Sequence, residues 1–153
     1  MITQKSKAKK KGIIIAISVS QKKGVRKINV DSAELKEDFG IVGDAHAGTK
    51  NRQVSLLAQE SIEKMKAKGL KVKAGDFAEN ITTEGLDLLS LKIGDRLKMN
   101  DEVILELSQI GKVCHTRCSI YYQAGDCVMP KEGIFAKVIK GGEIKVGDSI
   151  YSL

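Results

Sequence analysis

Twice this chain repeats one short pattern. Leu91-Lys92-Ile93-Gly94-Asp95-Arg96-Leu97 and Ile144-Lys145-Val146-Gly147-Asp148-Ser149-Ile150 each set an apolar residue before Gly-Asp and another two residues after it. A Gly-Asp step redirects the backbone sharply, its carboxylate accepts from nearby backbone N–H groups, and the next strand can start at once. Corners of this kind between short apolar runs favour a small sheet-rich barrel over a helical bundle. The longest apolar run, residues 13–19 with Ser18 inside it, is about seven residues. A membrane-spanning helix needs roughly 20.

The runs between corners define the expected elements. Residues 12–20, rich in Ile and Val, read as a buried strand, and 25–30 are expected to return beside it through Lys22-Lys23-Gly24. Residues 31–39 predict a short helix, with Asp31 or Ser32 as N-cap and Gly40 as its end. Residues 52–57 read as a strand leading into one clear helix over about 58–68, where Ala58, Ile62 and Met65 share a face and Gly69 stands at C′. Strands at 97–99 and 102–109 flank Asn100-Asp101, with Val103, Leu105 and Leu107 in alternation. Residues 136–140 and 143–146 are expected to form a two-residue hairpin whose turn, Gly141-Gly142, supplies positive φ at both central positions. The expected fold is mostly β: a barrel with one clear helix and short helical insertions, as one domain over 12–153 behind a basic tail, 1–11.

Composition narrows the function classes. With 42% hydrophobic residues and a single proline the chain is no disordered segment, and three cysteines are too few, and odd in number, for a disulfide-stapled miniprotein. The net charge of +7 is concentrated: five lysines fall in the first twelve residues, leaving +2 for the remainder. Aromatics are 4% and Trp is absent, so no basic, ring-lined platform for nucleic acid is expected, and no membrane partner either. The apolar run after the basic stretch is followed by Gln21-Lys22-Lys23 where an export signal would place small residues. The thiols are therefore expected to stay reduced, in the cytoplasm.

Reactive side chains are few. Cys114-His115-Thr116-Arg117-Cys118 follows a strand and lies near Lys112. Neighbouring cations favour thiolate over thiol, and thiolate is the form that attacks, carries sulfur or binds a soft metal. Cys127, beside Val128 and Met129, reads as a small buried hydrophobe. A structural zinc or iron–sulfur site is the alternative, although C-x3-C followed by C-x8-C lacks paired C-x2-C knuckles. A second cluster, Gly43-Asp44-Ala45-His46-Ala47-Gly48, sets a carboxylate two residues from an imidazole in a loop bracketed by glycines. Such a carboxylate fixes the imidazole's tautomer. The loop has too few glycines for a nucleotide-binding fingerprint, and no nucleotide cofactor is expected.

These segments, taken in order with Arg52-Gln53-Val54-Ser55-Leu56-Leu57, Phe77-Ala78-Glu79-Asn80-Ile81 and Leu91-Lys92-Ile93-Gly94-Asp95, resemble the MOSC domain, named for the C-terminal domain of molybdenum cofactor sulfurase, in its small stand-alone bacterial form. The resemblance implies a barrel like that of pyruvate kinase. It implies a sulfur-carrier or molybdopterin-binding protein in which Cys114 carries sulfur as a persulfide or ligates molybdenum. The possible activities are sulfur transfer and molybdenum-dependent reduction of N-hydroxylated compounds. Asp44 and His46 match the family's loop and would assist Cys114, as would His115 and Cys118, which are additions to the commoner family pattern. Asn80 matches a family asparagine near the cofactor, and Arg52, Lys112 and Arg117 would contact the molybdenum cofactor. Partners would be a cysteine desulfurase or cofactor-biosynthesis proteins. Pyridoxal phosphate belongs to a separate domain of the parent sulfurase and is a family association only. A binding module for molybdopterin or an oxyanion, without catalysis, is the alternative function.

Overall fold

The structure is a computed structural model that describes residues 10–22, 25–111 and 133–153. Among these residues are eleven strands: β1 (Lys11–Val19), β2 (Ile28–Val30), β3 (Ser32–Lys36), β4 (Gly40–Ile41), β5 (Val54–Ala58), β6 (Ile81–Glu84), β7 (Arg96–Met99), β8 (Val103–Ile110), β9 (Ile134–Lys140), β10 (Gly142–Lys145) and β11 (Ser149–Ser152). The α-helix α1 (Gln59–Lys66) follows β5, and a 3-10 turn occupies Leu88–Ser90.

The main sheet runs β11-β7-β8-β9-β5-β6-β1, and β11 pairs again with β1, so seven strands close into a barrel. All neighbours are antiparallel except β5 and β6, which are joined through α1 as a parallel pair needs. Closure leaves the barrel strands no free edge. β2 continues the sheet outside the barrel from β1, with Ile17 opposite Val30 and Val19 opposite Ile28. A second sheet, β10-β3-β4, packs against it.

The interior follows the period of two that the sequence shows. Val103, Leu105 and Leu107 on β8 are 0–1% exposed and meet Leu97, Met99, Leu56, Ile81, Ile14 and Ile17 in one cluster. A smaller cluster lies outside the barrel wall, where Ile62 and Met65 of α1 pack on Leu57, Val72, Phe77 and Phe135. Both helix residues sit on the face expected for them. Among the described residues, no helix is long and apolar enough to cross a membrane.

The two corners are built alike. Gly94 (φ 96°) and Gly147 (φ 98°) occupy the left-handed region in open space, so backbone conformation rather than crowding selects glycine there. In each corner the aspartate N–H donates to the carbonyl three residues back (Asp95 to Lys92 and Asp148 to Lys145, both 3.0 Å). The carboxylate then accepts from that same lysine's N–H at 2.8 Å. β7 and β11 start directly afterwards. Lys73-Ala74-Gly75-Asp76 is a third copy, with Gly75 at φ 94° and the Lys73 N–H 3.0 Å from Asp76 Oδ2.

Three expectations are corrected. Residues 32–36 are strand β3, not helix: Ala33 and Leu35 turn inward and Glu34 and Lys36 outward, and pairing with β10 and β4 overrides the helix preference of Ala, Glu, Leu and Lys. Gly141-Gly142 makes no hairpin, because β9 stays in the barrel between β8 and β5 while β10 joins β3 in the other sheet. Gly141 is not at positive φ; a Cβ there would strike the Leu35 carbonyl, and one on Gly142 would come within 2.8 Å of Glu102. Close approach to the β3 backbone at the sheet change selects Gly141. The two-residue turn with both positions at positive φ is instead Asn100-Asp101 (47° and 61°), between β7 and β8. Finally, the return strand after β1 is only three residues long, and its expected apolar contacts Val25 (42% exposed) and Ile28 (73%) face outward.

Candidate functional site

Gly43-Asp44 is a fourth x-x-Gly-Asp turn, with Gly43 at φ 90° and the Asp44 N–H donating to the Ile41 carbonyl at 3.1 Å. Here the carboxylate does not close its own turn. Oδ1 accepts from Lys27 Nζ at 2.8 Å and the Ser20 N–H at 3.0 Å, and Oδ2 accepts from the His46 N–H at 3.0 Å. Ser20 and Lys27 flank the connection between β1 and β2, so the carboxylate ties that connection to the loop after β4. The Lys27 and Asp44 side chains are both completely buried, and Lys27 also donates to Ser20 Oγ at 3.0 Å. Burial opposes ionisation of Asp44, but the His46 imidazole, the Lys27 ammonium and the two backbone N–H groups outweigh it. They hold the carboxyl below the usual carboxylate range.

His46 stands over this anchor. Its side chain is 7% exposed, and Nδ1 lies 3.5 Å from Asp44 Oδ2, without a hydrogen bond of its own among the described residues. The imidazole ring meets Phe135 at 6.5 Å between centroids, tilted 54°. The same Phe135 ring carries the Arg52 guanidinium at 5.4 Å, a cation–π contact. Arg52 Nε donates to Gln109 Oε1 at 3.1 Å, and Gln109 Nε2 donates to the Gly111 carbonyl at 2.9 Å. Among the described residues no carboxylate pairs with Arg52. The Gly111 N–H in turn bonds the Gly133 carbonyl at 2.7 Å. Asp44, His46, Arg52 and Phe135 thus gather on the outer face of the barrel wall at β9, with Arg52 linked through Gln109 to Gly111.

Asn80 has a different setting. It is 0% exposed and knots three strands together: Oδ1 accepts from the Ser55 N–H at 2.9 Å, Nδ2 donates to the Ser18 carbonyl at 3.0 Å, and the Asn80 carbonyl accepts from the Ser18 N–H at 2.7 Å. Its neighbour Glu79 is equally buried, accepting from the N–H groups of Gly75 and Phe77 and the Thr82 hydroxyl. Burial outweighs those donors and raises the Glu79 carboxyl above its ordinary value.

Lys112, Cys114, His115, Arg117, Cys118 and Cys127 lie outside the described residues. Among the described residues, no three His, Cys, Asp or Glu side chains converge to hold a metal ion. Sequence reasoning found Asp44, His46 and Arg52 but missed Lys27 and Phe135. A lysine beside an exposed-looking turn reads as solvated. The available signal was Gly43-Asp44, a Gly-Asp step without the lysine that stands two residues before the glycine at Gly75, Gly94 and Gly147.

The sequence model of the MOSC domain matches residues 43–151, and the chain belongs to that family. The match takes in the Asp44–His46 loop and, but for the last residue of β11, all of the barrel except β1. The chain is similar in structure to the YuaD protein from Bacillus subtilis (19% identity over 92% of this chain and 94% of that one, TM-score 0.77). It is also similar to YiiM from Geobacillus stearothermophilus (18%, 93% and 75%, TM-score 0.69) and YiiM from Escherichia coli (19%, 92% and 69%, TM-score 0.64). At these identities the likeness is one of fold. No curated protein sequence matches the chain. Family membership carries a general association with the molybdenum cofactor.

Proposed function

We propose that this MOSC protein is a sulfur carrier associated with the molybdenum cofactor, with Cys114 bearing the sulfur as a persulfide. The observation that supports this most is the anchored Asp44–His46 pair, which meets Arg52 on the Phe135 ring, with Arg52 linked through Gln109 to Gly111. Cys114 follows Gly111 by three residues in the chain. In the proposed step the Cys114 thiolate attacks the terminal sulfur of a cysteine persulfide on a desulfurase. The donor's S–S bond breaks, its thiolate leaves with the electron pair, and a new S–S bond forms on Cys114 with no net oxidation. The Asp44 carboxylate favours the Nδ1–H tautomer of His46, leaving the other nitrogen free to take or give a proton as sulfur arrives and departs. His115, Lys112 and Arg117 would supply the positive surroundings that keep Cys114 ionised.

A second reading, that the chain also holds molybdopterin, is favoured by Arg52. A guanidinium fixed on an aromatic face with no carboxylate partner among the described residues suits a phosphate, to which it offers charge-assisted hydrogen bonds. The donor set fits the cofactor to that extent. Arg52, with Lys112 and Arg117, would hold the phosphate, and Cys114 would be the protein ligand to molybdenum. When bound, the cofactor would supply the redox-active metal.

The test is transfer. Protein loaded by a cysteine desulfurase and separated from it should yield thiocyanate on addition of cyanide, and Cys114→Ser should yield none. Equal thiocyanate from both proteins would overturn the carrier role.

A further inference from the structure

A cleft of about 520 Å³ opens beside the C-terminal end of α1, away from the Cys114 segment in sequence. Arg26, Lys66, Lys71 and Lys73 line it, and Leu70 and Val72 supply its apolar surface. Val72 is only 6% exposed and packs with Leu70 on the cluster under α1.

Among the described residues Asp76 is the one acid in the lining, and its position is set by its own Gly-Asp turn. Its side chain is 7% exposed, with Arg26 Nη1 at 4.0 Å and Lys73 Nζ at 3.8 Å. Those cations are 52% and 66% exposed, and ion pairs this long and this wet bind weakly. Four cations face one lining carboxylate, and Lys66 also lies 3.4 Å from Glu63, so the cleft keeps a net positive charge over a floor of two aliphatic side chains.

We infer that this cleft docks an acidic, extended segment of a partner protein, one that carries a leucine-like side chain between its carboxylates. The charge selects the acid, and Leu70 with Val72 selects the apolar side chain. Among the described residues no aromatic ring lines the cleft, so stacked nucleic-acid bases have no platform there. The site lies next to the chemistry described above. Arg26 precedes Lys27, and the Lys27 N–H donates to the carbonyl of Gly75, the neighbour of Asp76, at 2.8 Å. A segment bound here seats its owner against the Arg26-Lys27 stretch just before β2, which carries the buried partner of Asp44. The inference needs only the cleft and holds whether or not Cys114 carries sulfur.

The experiment uses the full chain and the fluorescein-labelled hexapeptide Glu-Glu-Leu-Glu-Leu-Glu, followed by anisotropy at low salt. Saturable binding is expected, at least about tenfold weaker in Lys66→Glu/Lys71→Glu. A peptide with serine for leucine should bind at least about fivefold more weakly. Glutamine at Lys5, Lys7 and Lys9 should change nothing. Arg26→Gln gives a second, independent loss should the double variant unfold. Binding that follows the N-terminal lysines, ignores the leucines, or is displaced more readily by short oligothymidylate than by unlabelled peptide would overturn the assignment.

Discussion

Lys27 Nζ lies 2.8 Å from Asp44 Oδ1, with neither side chain reaching solvent. A buried pair of this kind contributes little net stability compared with apolar residues of the same size, but losing one partner strands a charge. Here it fixes the loop that presents His46. Lys27→Met should destabilise the protein by about 3 kcal/mol, measured by urea unfolding, and adding Asp44→Asn should recover part of that loss. A cost below about 1 kcal/mol would mean that solvent reaches the pair.

The same carboxylate sets an acid limb. Asp44 has a lowered pKa in the folded protein, so its stabilisation is full above the unfolded value of about 3.9 and is lost as pH falls from there towards the folded value. Glu79 has the opposite sign. Its raised pKa gives stability present below the unfolded value and lost as pH rises through the folded one. Unfolding midpoints from pH 8 to pH 3 should show the acid limb flattened in Asp44→Asn. Glu79→Gln should compare best with the natural protein at the alkaline end. Parallel curves for the Asp44 variant and the natural protein would contradict the assignment.

Glycines separate by mechanism. Gly94→Ala places a Cβ in open space at φ 96° and should cost about 1 kcal/mol from backbone strain alone. Gly141→Ala, at ordinary φ, drives its Cβ into the Leu35 carbonyl and should cost more, since either β3 or β10 must shift. Were Gly141 a hairpin glycine, asparagine would be tolerated there; the sheet change predicts that Gly141→Asn is worse than Gly94→Asn.

Arg52 should matter for binding rather than folding. Arg52→Met removes one charge-assisted contact and should weaken a pterin monophosphate roughly tenfold by titration calorimetry. The urea midpoint should barely move, because the guanidinium is held by one amide and one ring face. Unchanged affinity would remove Arg52 from the phosphate site.

The sequence-readable part of the fold is the part whose pattern has a single physical cause. Val103, Leu105 and Leu107 alternate because one face of β8 fills the barrel, and Gly94 and Gly147 recur because the corner needs positive φ. Residues 32–36 misread because Ala, Glu, Leu and Lys suit a helix locally, and only pairing with β10 makes them a strand. Gly141-Gly142 misread because glycine also answers to crowding. In the site, Asp44 and His46 were legible from their spacing. Lys27 was not, since its burial depends on a carboxylate 17 residues away that no local pattern announces.

The most direct measurement is intact mass with peptide mapping after incubation with a cysteine desulfurase and cysteine. A gain of about 32 Da for one persulfide sulfur, mapped to Cys114, absent in Cys114→Ser and slower to form in His46→Ala, is the predicted result. No adduct on the natural protein, or one that persists undiminished in Cys114→Ser, would contradict it.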